Sequence, residues 1–528
     1  MIRIRCFATA IFLAWSLLGQ GLDPGLLLKP ATDTWPTYNG DYSGRRYSTL
    51  SQISTDTVHN LALAWVYHAS TGDMNPFGSQ VKSTPLEVNG VLYFTVPDHA
   101  WAVDARTGRE LWHYKWESKG GIHIGNRGVG IYGNWLYFET PDCHLVSLNI
   151  NDGKERWNTE VCDLKQHYFG SVAPVIIKNH VLVGVSGDDL DVPGYLESRD
   201  PETGQLQWRW NTEPKKGEPG SETWPNEDAM SHGGGMTWMP GTYDPELNLY
   251  YFGTGNPQPV MAGKGRGGDN LYTESIVALN PDTGKMAWYF QPSPHDTHDW
   301  DAVQTPVLFD GEFNNQKRKL VAQAARNGYF FVLDRTNGQH LLTKPFIETN
   351  WAEKIDSRGR PMRDLKKDPA PAGTLVSPSS DGAANWPPPA YNPDTGLFYV
   401  SARKSYSVFY LTDLGEKPEG WGGVDKNLWS EFYLRAIDYK TGTVRWSRNW
   451  GSSGFSLSGL LTTAGKLLFT GDTSGNFMAL DAASGNILWH VNLNQTVANG
   501  PMSYELDDAQ YLVVGAGDSL YAFTLPRK

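Results

Sequence analysis

Asp299 and Asp301 flank Trp300 and are the first chemistry the sequence offers: two carboxylates two residues apart. On a strand, side chains at i and i+2 share a face, so both can reach one cation. The plainer reading is a pair of solvated loop acids, and the tripeptide alone does not choose. A second constellation is Cys143 and Cys162, placed symmetrically about the turn Asn151-Asp152-Gly153-Lys154 between two strand-like runs. The symmetry sets them across a hairpin, either as a disulfide in an oxidising compartment or as two buried thiols. No Cys-x-x-Cys-His motif for covalent haem occurs.

Groups this far apart in sequence need a scaffold. The 528 residues include 56 Gly, 33 Pro, 21 Trp, 25 Tyr and 20 Phe, a composition of turns and large apolar side chains that predicts an all-β protein. A phrase recurs: an apolar strand, Asp or Asn, a turn ending in Gly, then a strand carrying Trp four residues after the Gly. Its copies are Asp104…Gly108…Trp112, Asn149…Gly153…Trp157, Asp200…Gly204…Trp208, Asn280…Gly284…Trp288, Asp438…Gly442…Trp446 and Asp481…Gly485…Trp489. Asp334…Gly338 lacks the Trp, and Trp65 reads as the end of a split first copy. About eight units follow, which predicts an eight-bladed β-propeller with tryptophan-docking repeats. Each small sheet has two apolar faces and buries them only by stacking, with the Gly at positive φ and the Trp flat on the neighbouring unit. The last strands, near Tyr511–Val514 and Ser519–Phe523, are expected to pair with one near the amino end and close the ring. The long inserts 209–237 and 343–384 are expected to cover one end of the central channel.

A net charge of −12 disfavours nucleic acid and anionic membrane as partners. Met1-Ile-Arg-Ile-Arg5 followed by the apolar run Cys6 to Gly19 has the order of a secretory signal peptide, with cleavage expected near Gln20 to Leu22. Residues 1–22 are thus assigned to a signal peptide and 33–528 to the propeller, in a secreted or periplasmic protein. A short uncleaved anchor is the alternative; no later segment is apolar enough to span a membrane, so no transmembrane domain is expected in the mature chain.

Further segments give the repeat a family: Trp35-Pro-Thr-Tyr38, Asn126-Arg127-Gly128, Ser186-Gly187-Asp188-Asp189, Gly253-Thr254-Gly255-Asn256, Asp299-Trp300-Asp301, Arg326-Asn327-Gly328, Asn385-Trp386 and Gly500-Pro501-Met502. In this order, along nearly the whole mature chain, they resemble the pyrroloquinoline quinone (PQQ)-dependent alcohol and methanol dehydrogenases. The resemblance implies a cation, Ca²⁺ or a lanthanide, on the propeller axis beside PQQ. Asp189, Asn256 and Asp299 stand at its ligand positions, and Asp301 at that of the extra carboxylate of lanthanide-using members. Oxygen donors of this kind suit Ca²⁺. For the cofactor it implies Trp238 as the stacking ring, Lys82, Arg127, Ser171, Ser186, Gly187, Asp188, Asn385 and Trp386 as further contacts, and Arg326 at the reactive quinone oxygens. Trp238 read by itself is equally one more docking Trp of the fold.

The departures are specific. The family's two adjacent cysteines are replaced by Gly121-Ile122, so the ring-covering vicinal disulfide is impossible and His123 stands nearby instead. The family's Glu ligand is shortened to Asp189, and a Glu beside the cofactor carboxylates is replaced by Lys82. The implied reaction is oxidation of a small alcohol, with Asp299 as general base and hydride passing to metal-bound PQQ polarised by Arg326. The electrons then leave one at a time to a separate cytochrome c or quinone. Two alternatives remain at this stage: a cofactor-free propeller acting as an envelope scaffold, and a sugar or polyol quinoprotein dehydrogenase.

Overall fold

A computed structural model describes residues 21–71, 79–187, 191–452 and 458–526. The predicted signal segment up to residue 20, and Asp188 and Asp189, lie outside the described residues. Nearly all regular structure is β: among the described residues the one α-helix is Glu227–His232.

Among the described residues the strands form eight sheets of four or five strands, antiparallel apart from the parallel pairing of Tyr47–Ser48 with Thr462–Thr463, and one two-stranded sheet, Ala352–Ile355 with Pro361–Arg363. The last strand of a sheet is its exposed one, as with Leu206–Asn211 beside the buried Tyr195–Arg199, so fourth strands form the rim. The first strands face the hub, where Tyr243, Leu308, Tyr391 and Thr462 donate backbone N–H groups to the carbonyls of Tyr42, Ser43, Arg45 and Arg46. Ring closure is as expected, because Ala62–His68 pairs antiparallel with Ser519–Thr524.

The docking role of the repeat is literal. The turn glycines Gly108, Gly153, Gly204, Gly284, Gly338 and Gly485 all have φ between 67° and 75°. A Cβ added at Gly153 would lie 2.7 Å from the Trp112 ring, and one at Gly284 2.6 Å from Trp208, so each indole lies against the next sheet's turn. The indole N–H of Trp112 donates to Ile150 O (2.8 Å), that of Trp208 to Pro281 O (2.8 Å) and that of Trp446 to Ala482 O (3.2 Å). Trp157 has no such bond, since Arg156 and Tyr137 already donate to Pro201 O. Where the repeat lacks its Trp, the side chains of Lys344 and Leu342 pack on Gly442 instead. Cys143 and Cys162 form a disulfide with Cα atoms 5.0 Å apart.

A meander of this kind sends its tight turns to one end of the ring and its long connections to the other. Both predicted inserts, and the segments 254–275 and 291–306, are long connections and so share one end. The segment from Trp35 to Arg46 enters the hub. Fully buried Arg46 donates to three carbonyls, Leu460 O (2.8 Å), Tyr38 O (2.6 Å) and Pro501 O (2.6 Å), and its guanidinium lies 5.3 Å from the Trp35 ring centroid. Burial lowers its pKa to about 10.

Candidate active site

The site is built on the long connections. Arg326 opens the turn after the strand Gln316–Ala324, and its guanidinium is shared by two carboxylates, Nη2 to Asp299 Oδ2 (2.6 Å) and Nη1 to Asp301 Oδ2 (2.7 Å). Its remaining groups are fixed by protein alone: Nε donates to Ser380 O (3.0 Å) and the backbone N–H to Gln304 Oε1 (3.0 Å). Such a bidentate arrangement fixes the planar fork. The two acids converge as expected, but not by the expected route. Residues 299–301 are loop rather than strand, and it is Asp299 at φ +68° that turns its carboxyl alongside that of Asp301.

Asp301 also joins the other predicted groups. Its Oδ1 accepts the Asn256 backbone N–H (2.7 Å), and its Oδ2 accepts the Trp238 indole N–H (3.1 Å). Burial pushes the Asp301 carboxyl above the usual carboxylate range, opposed by Arg326 and then by the Asn256 N–H. Asn256 Oδ1 is buried with no hydrogen-bond partner. An orphaned acceptor of this kind is rare unless a ligand or ion completes it, and beside two carboxylates it suits an oxygen-liganded cation. One more acid is held close: both oxygens of Glu274 are buried without hydrogen bonds, and burial, then Asp296 and Asp301, pushes its carboxyl well up.

On the other side of Trp238, the guanidinium of Arg127 lies 4.8 Å from its ring centroid and 5.7 Å from that of Trp386. Arg127 Nη1 reaches Ser171 O (3.4 Å), and the hydroxyls of Ser171 and Ser186 are 2.8 Å apart. Lys82 is within electrostatic reach of Arg127; burial first, then that charge, lowers its pKa to about 8. Its Nζ donates to Ile124 O (2.5 Å). Asn385 donates to Asp381 O (3.0 Å) and accepts the Trp386 N–H (2.8 Å). Gly187 sits at φ +153°, where a side chain would press on Val192 at 3.2 Å. Of the predicted residues, therefore, Asn256, Asp299, Asp301, Arg326 and Trp238 form one hydrogen-bonded network, with Arg127, Ser171, Ser186, Trp386 and Lys82 around its edge.

Where the family pattern would place a vicinal disulfide, the backbone leaves no space: a Cβ at Gly121 would lie 2.0 Å from Pro141 O. His123 is tied to Asp98, Nε2 to Oδ2 2.6 Å. Sequence reasoning missed Glu139, whose Oε2 accepts the N–H groups of Ser171 (2.7 Å) and Val172 (2.9 Å). Burial pushes this carboxyl up to about 8. Nothing in a strand-end Glu signals that role. Gln304, which fixes Arg326, was equally silent.

A ring of sheets that buries paired carboxylates, a guanidinium and an indole in one hydrogen-bonded network defines a class, the quinoprotein-type β-propeller. The family model for the glucose/ethanol/alcohol dehydrogenase β-propeller domain, PQQ, matches residues 35–345, and that for the outer membrane protein assembly factor BamB matches residues 430–525. Quinoprotein alcohol dehydrogenase PedH of Pseudomonas putida is 37% identical over 514 residues, which cover 90% of this chain and 84% of the relative. The chain belongs to the PQQ-dependent quinoprotein alcohol dehydrogenase family. A quinohemoprotein alcohol dehydrogenase of Comamonas testosteroni is 33% identical over 532 residues, 92% of this chain and 73% of the relative. Among solved structures, the quinohemoprotein alcohol dehydrogenase ADHIIG from Pseudomonas putida superposes with a TM-score of 0.89 at 29% identity, covering 96% of this chain and 83% of that one. A europium-containing methanol dehydrogenase superposes with a TM-score of 0.84 at 28% identity, covering 95% and 99%.

Proposed function

We propose that this member of the family is an eight-bladed propeller that oxidises a small primary or secondary alcohol, using PQQ with a Ca²⁺ or lanthanide ion. The observation that carries the reading is the single buried network that joins Asp299, Arg326, Asp301, Asn256 and Trp238. When bound, the quinone supplies a carbonyl carbon that accepts hydride, and the cation supplies Lewis acidity.

The chain's own residues do the rest. Asp299, buried with 8% of its surface exposed, takes the hydroxyl proton of the alcohol. Arg326, held on three sides, presents positive charge where an oxyanion develops. Asp189, Asn256, Asp299 and Asp301 would hold the cation, which would replace part of the charge Arg326 now contributes. Trp238 would support the flat ring system of the cofactor. Arg127 and Lys82 provide cations for its carboxylates, and Ser171, Ser186, Gly187, Asp188, Asn385 and Trp386 complete the pocket. The apolar cluster of Tyr168, Val185, Met236 and Trp238, in which the disulfide is also packed, borders the site.

The electron acceptor is a separate cytochrome c or quinone, because the chain has no haem-attachment motif. We place the enzyme in the periplasm or outside the cell, exported by residues 1–22. Leu22, the last residue of that segment, is buried, and its backbone N–H donates to Gly133 O (2.9 Å). Among the described residues, no helix is long and apolar enough to cross a membrane. A cofactor-free scaffold would gain nothing from the unpaired Asn256 Oδ1, which is why we prefer the enzyme. The test is Asp299→Asn: dye-linked alcohol oxidation by the PQQ- and metal-loaded protein should fall by about a thousandfold with an unchanged circular dichroism spectrum. Retained turnover would remove Asp299 from its role.

A further inference from the structure

Asp299 is held in a backbone conformation that few residues other than glycine adopt, with φ +68°. What holds it there is a third acid, Asp296, which no step above uses. Asp296 is buried, with 4% of its surface exposed. One of its oxygens, Oδ2, accepts three consecutive backbone N–H groups: His298 (3.1 Å), Asp299 (2.7 Å) and Trp300 (3.1 Å). Three converging peptide dipoles make a concavity that favours an anion, and an ionised oxygen is the stronger acceptor for such a set. The peptide carbonyl of Asp296 is itself gripped from behind by Arg266 Nη2, in a guanidinium that also holds Pro259 O (2.8 Å), Val260 O (2.7 Å) and Asn270 Oδ1 (2.8 Å).

The consequence is geometric. With the N–H groups of 298–300 drawn to one point, residue 299 is confined to positive φ and its carboxyl is aimed at Arg326 beside that of Asp301. Without the capping oxygen, residue 299 is free to relax toward the extended region, which swings its carboxyl away. Trp300 is fixed by the same oxygen, and its ring stacks on His298 with centroids 4.4 Å apart.

We propose that Asp296 is a positioning residue: it organises the base and cation-binding face of Asp299 through the backbone, without touching substrate or cofactor. This rests on the functional reading above. The test is sensitised Tb³⁺ luminescence of the full-length, PQQ-free protein, excited through its tryptophans, alongside kcat and KM of the loaded enzyme. Asp296→Ala is expected to weaken Tb³⁺ binding and lower kcat by tenfold or more, with KM within twofold. Asp296→Asn keeps an oxygen in place and is expected to restore more than half of each loss on a logarithmic scale. If the alanine variant does not fold, Asp296→Gln, whose amide oxygen is displaced by one methylene, takes its place in the comparison. Variants indistinguishable from the parent, or losses that follow the melting temperature and are not rescued by Asn, overturn the proposal. A parent protein that binds no Tb³⁺ at all overturns the functional reading itself.

Discussion

The two ends of the ring are made from the same strands and obey opposite rules. At the turn end, Asp or Asn side chains cap the turns, each glycine supplies positive φ, and indoles donate to the next sheet, as with Asp104 Oδ1 accepting from Arg106 N (3.0 Å) and Thr107 N (3.0 Å). At the connection end, positive φ falls on Asp299, Glu274, His295 and Asn270 as well as on glycines such as Gly233, Gly234 and Gly235. Acceptors there are left unpaired, on Asn256, Glu213 and Glu274. The difference teaches which end was shaped for stability and which for a ligand, since strain and unsatisfied polar groups persist where a function over-determines them.

Substitutions at the two ends should separate activity from stability. Arg326→Gln should give the largest effect, because it leaves Asp299 and Asp301 without their counter-charge. We expect kcat/KM to fall by at least about a hundredfold and apo stability by about 3 kcal/mol, with added Ca²⁺ or La³⁺ restoring stability more in the variant than in the parent; calorimetry with and without the ion checks this. Trp112→Ala, at the turn end, should cost about 3 to 5 kcal/mol of unfolding free energy while the folded fraction keeps its kcat, measured by urea titration with parallel assays. Gly153→Ala, where a Cβ meets the Trp112 ring at 2.7 Å, should cost a smaller ~1 to 3 kcal/mol with the same separation. The mildest test concerns charge. Lys82 loses its proton near pH 8, so the positive charge offered to the cofactor is present below that pH and lost as pH rises through it. PQQ affinity of the parent should therefore decline between pH 7 and 9, and Lys82→Met should flatten that decline.

The turn end was legible in the sequence because its rules are local. An Asp or Asn, a Gly and a Trp at fixed spacing specify cap, turn and dock within one hairpin, and even the copy without Trp was visible before its place was found taken by Lys344 and Leu342. The connection end was legible only through resemblance, since Asn256, Asp299, Arg326 and Trp238 meet across four different connections and no local pattern couples them. What stayed hidden is what acts through backbone: Asp296 under its three N–H groups, Glu139 under Ser171 and Val172, and the left-handed turn at Asp299 in place of a strand.

The central claim is that the unpaired oxygens and the indole at the hub form one receptor for a cation and a planar quinone. Its most direct test is titration of the metal-free protein with PQQ, followed by quenching of tryptophan fluorescence, in the presence of Ca²⁺, of La³⁺ and of a chelator. The account predicts saturable one-to-one binding with at least one of the ions, weakened about tenfold or more by the chelator and by Trp238→Ala. Equal affinity with and without metal, or no saturable binding under any of the three conditions, would contradict it.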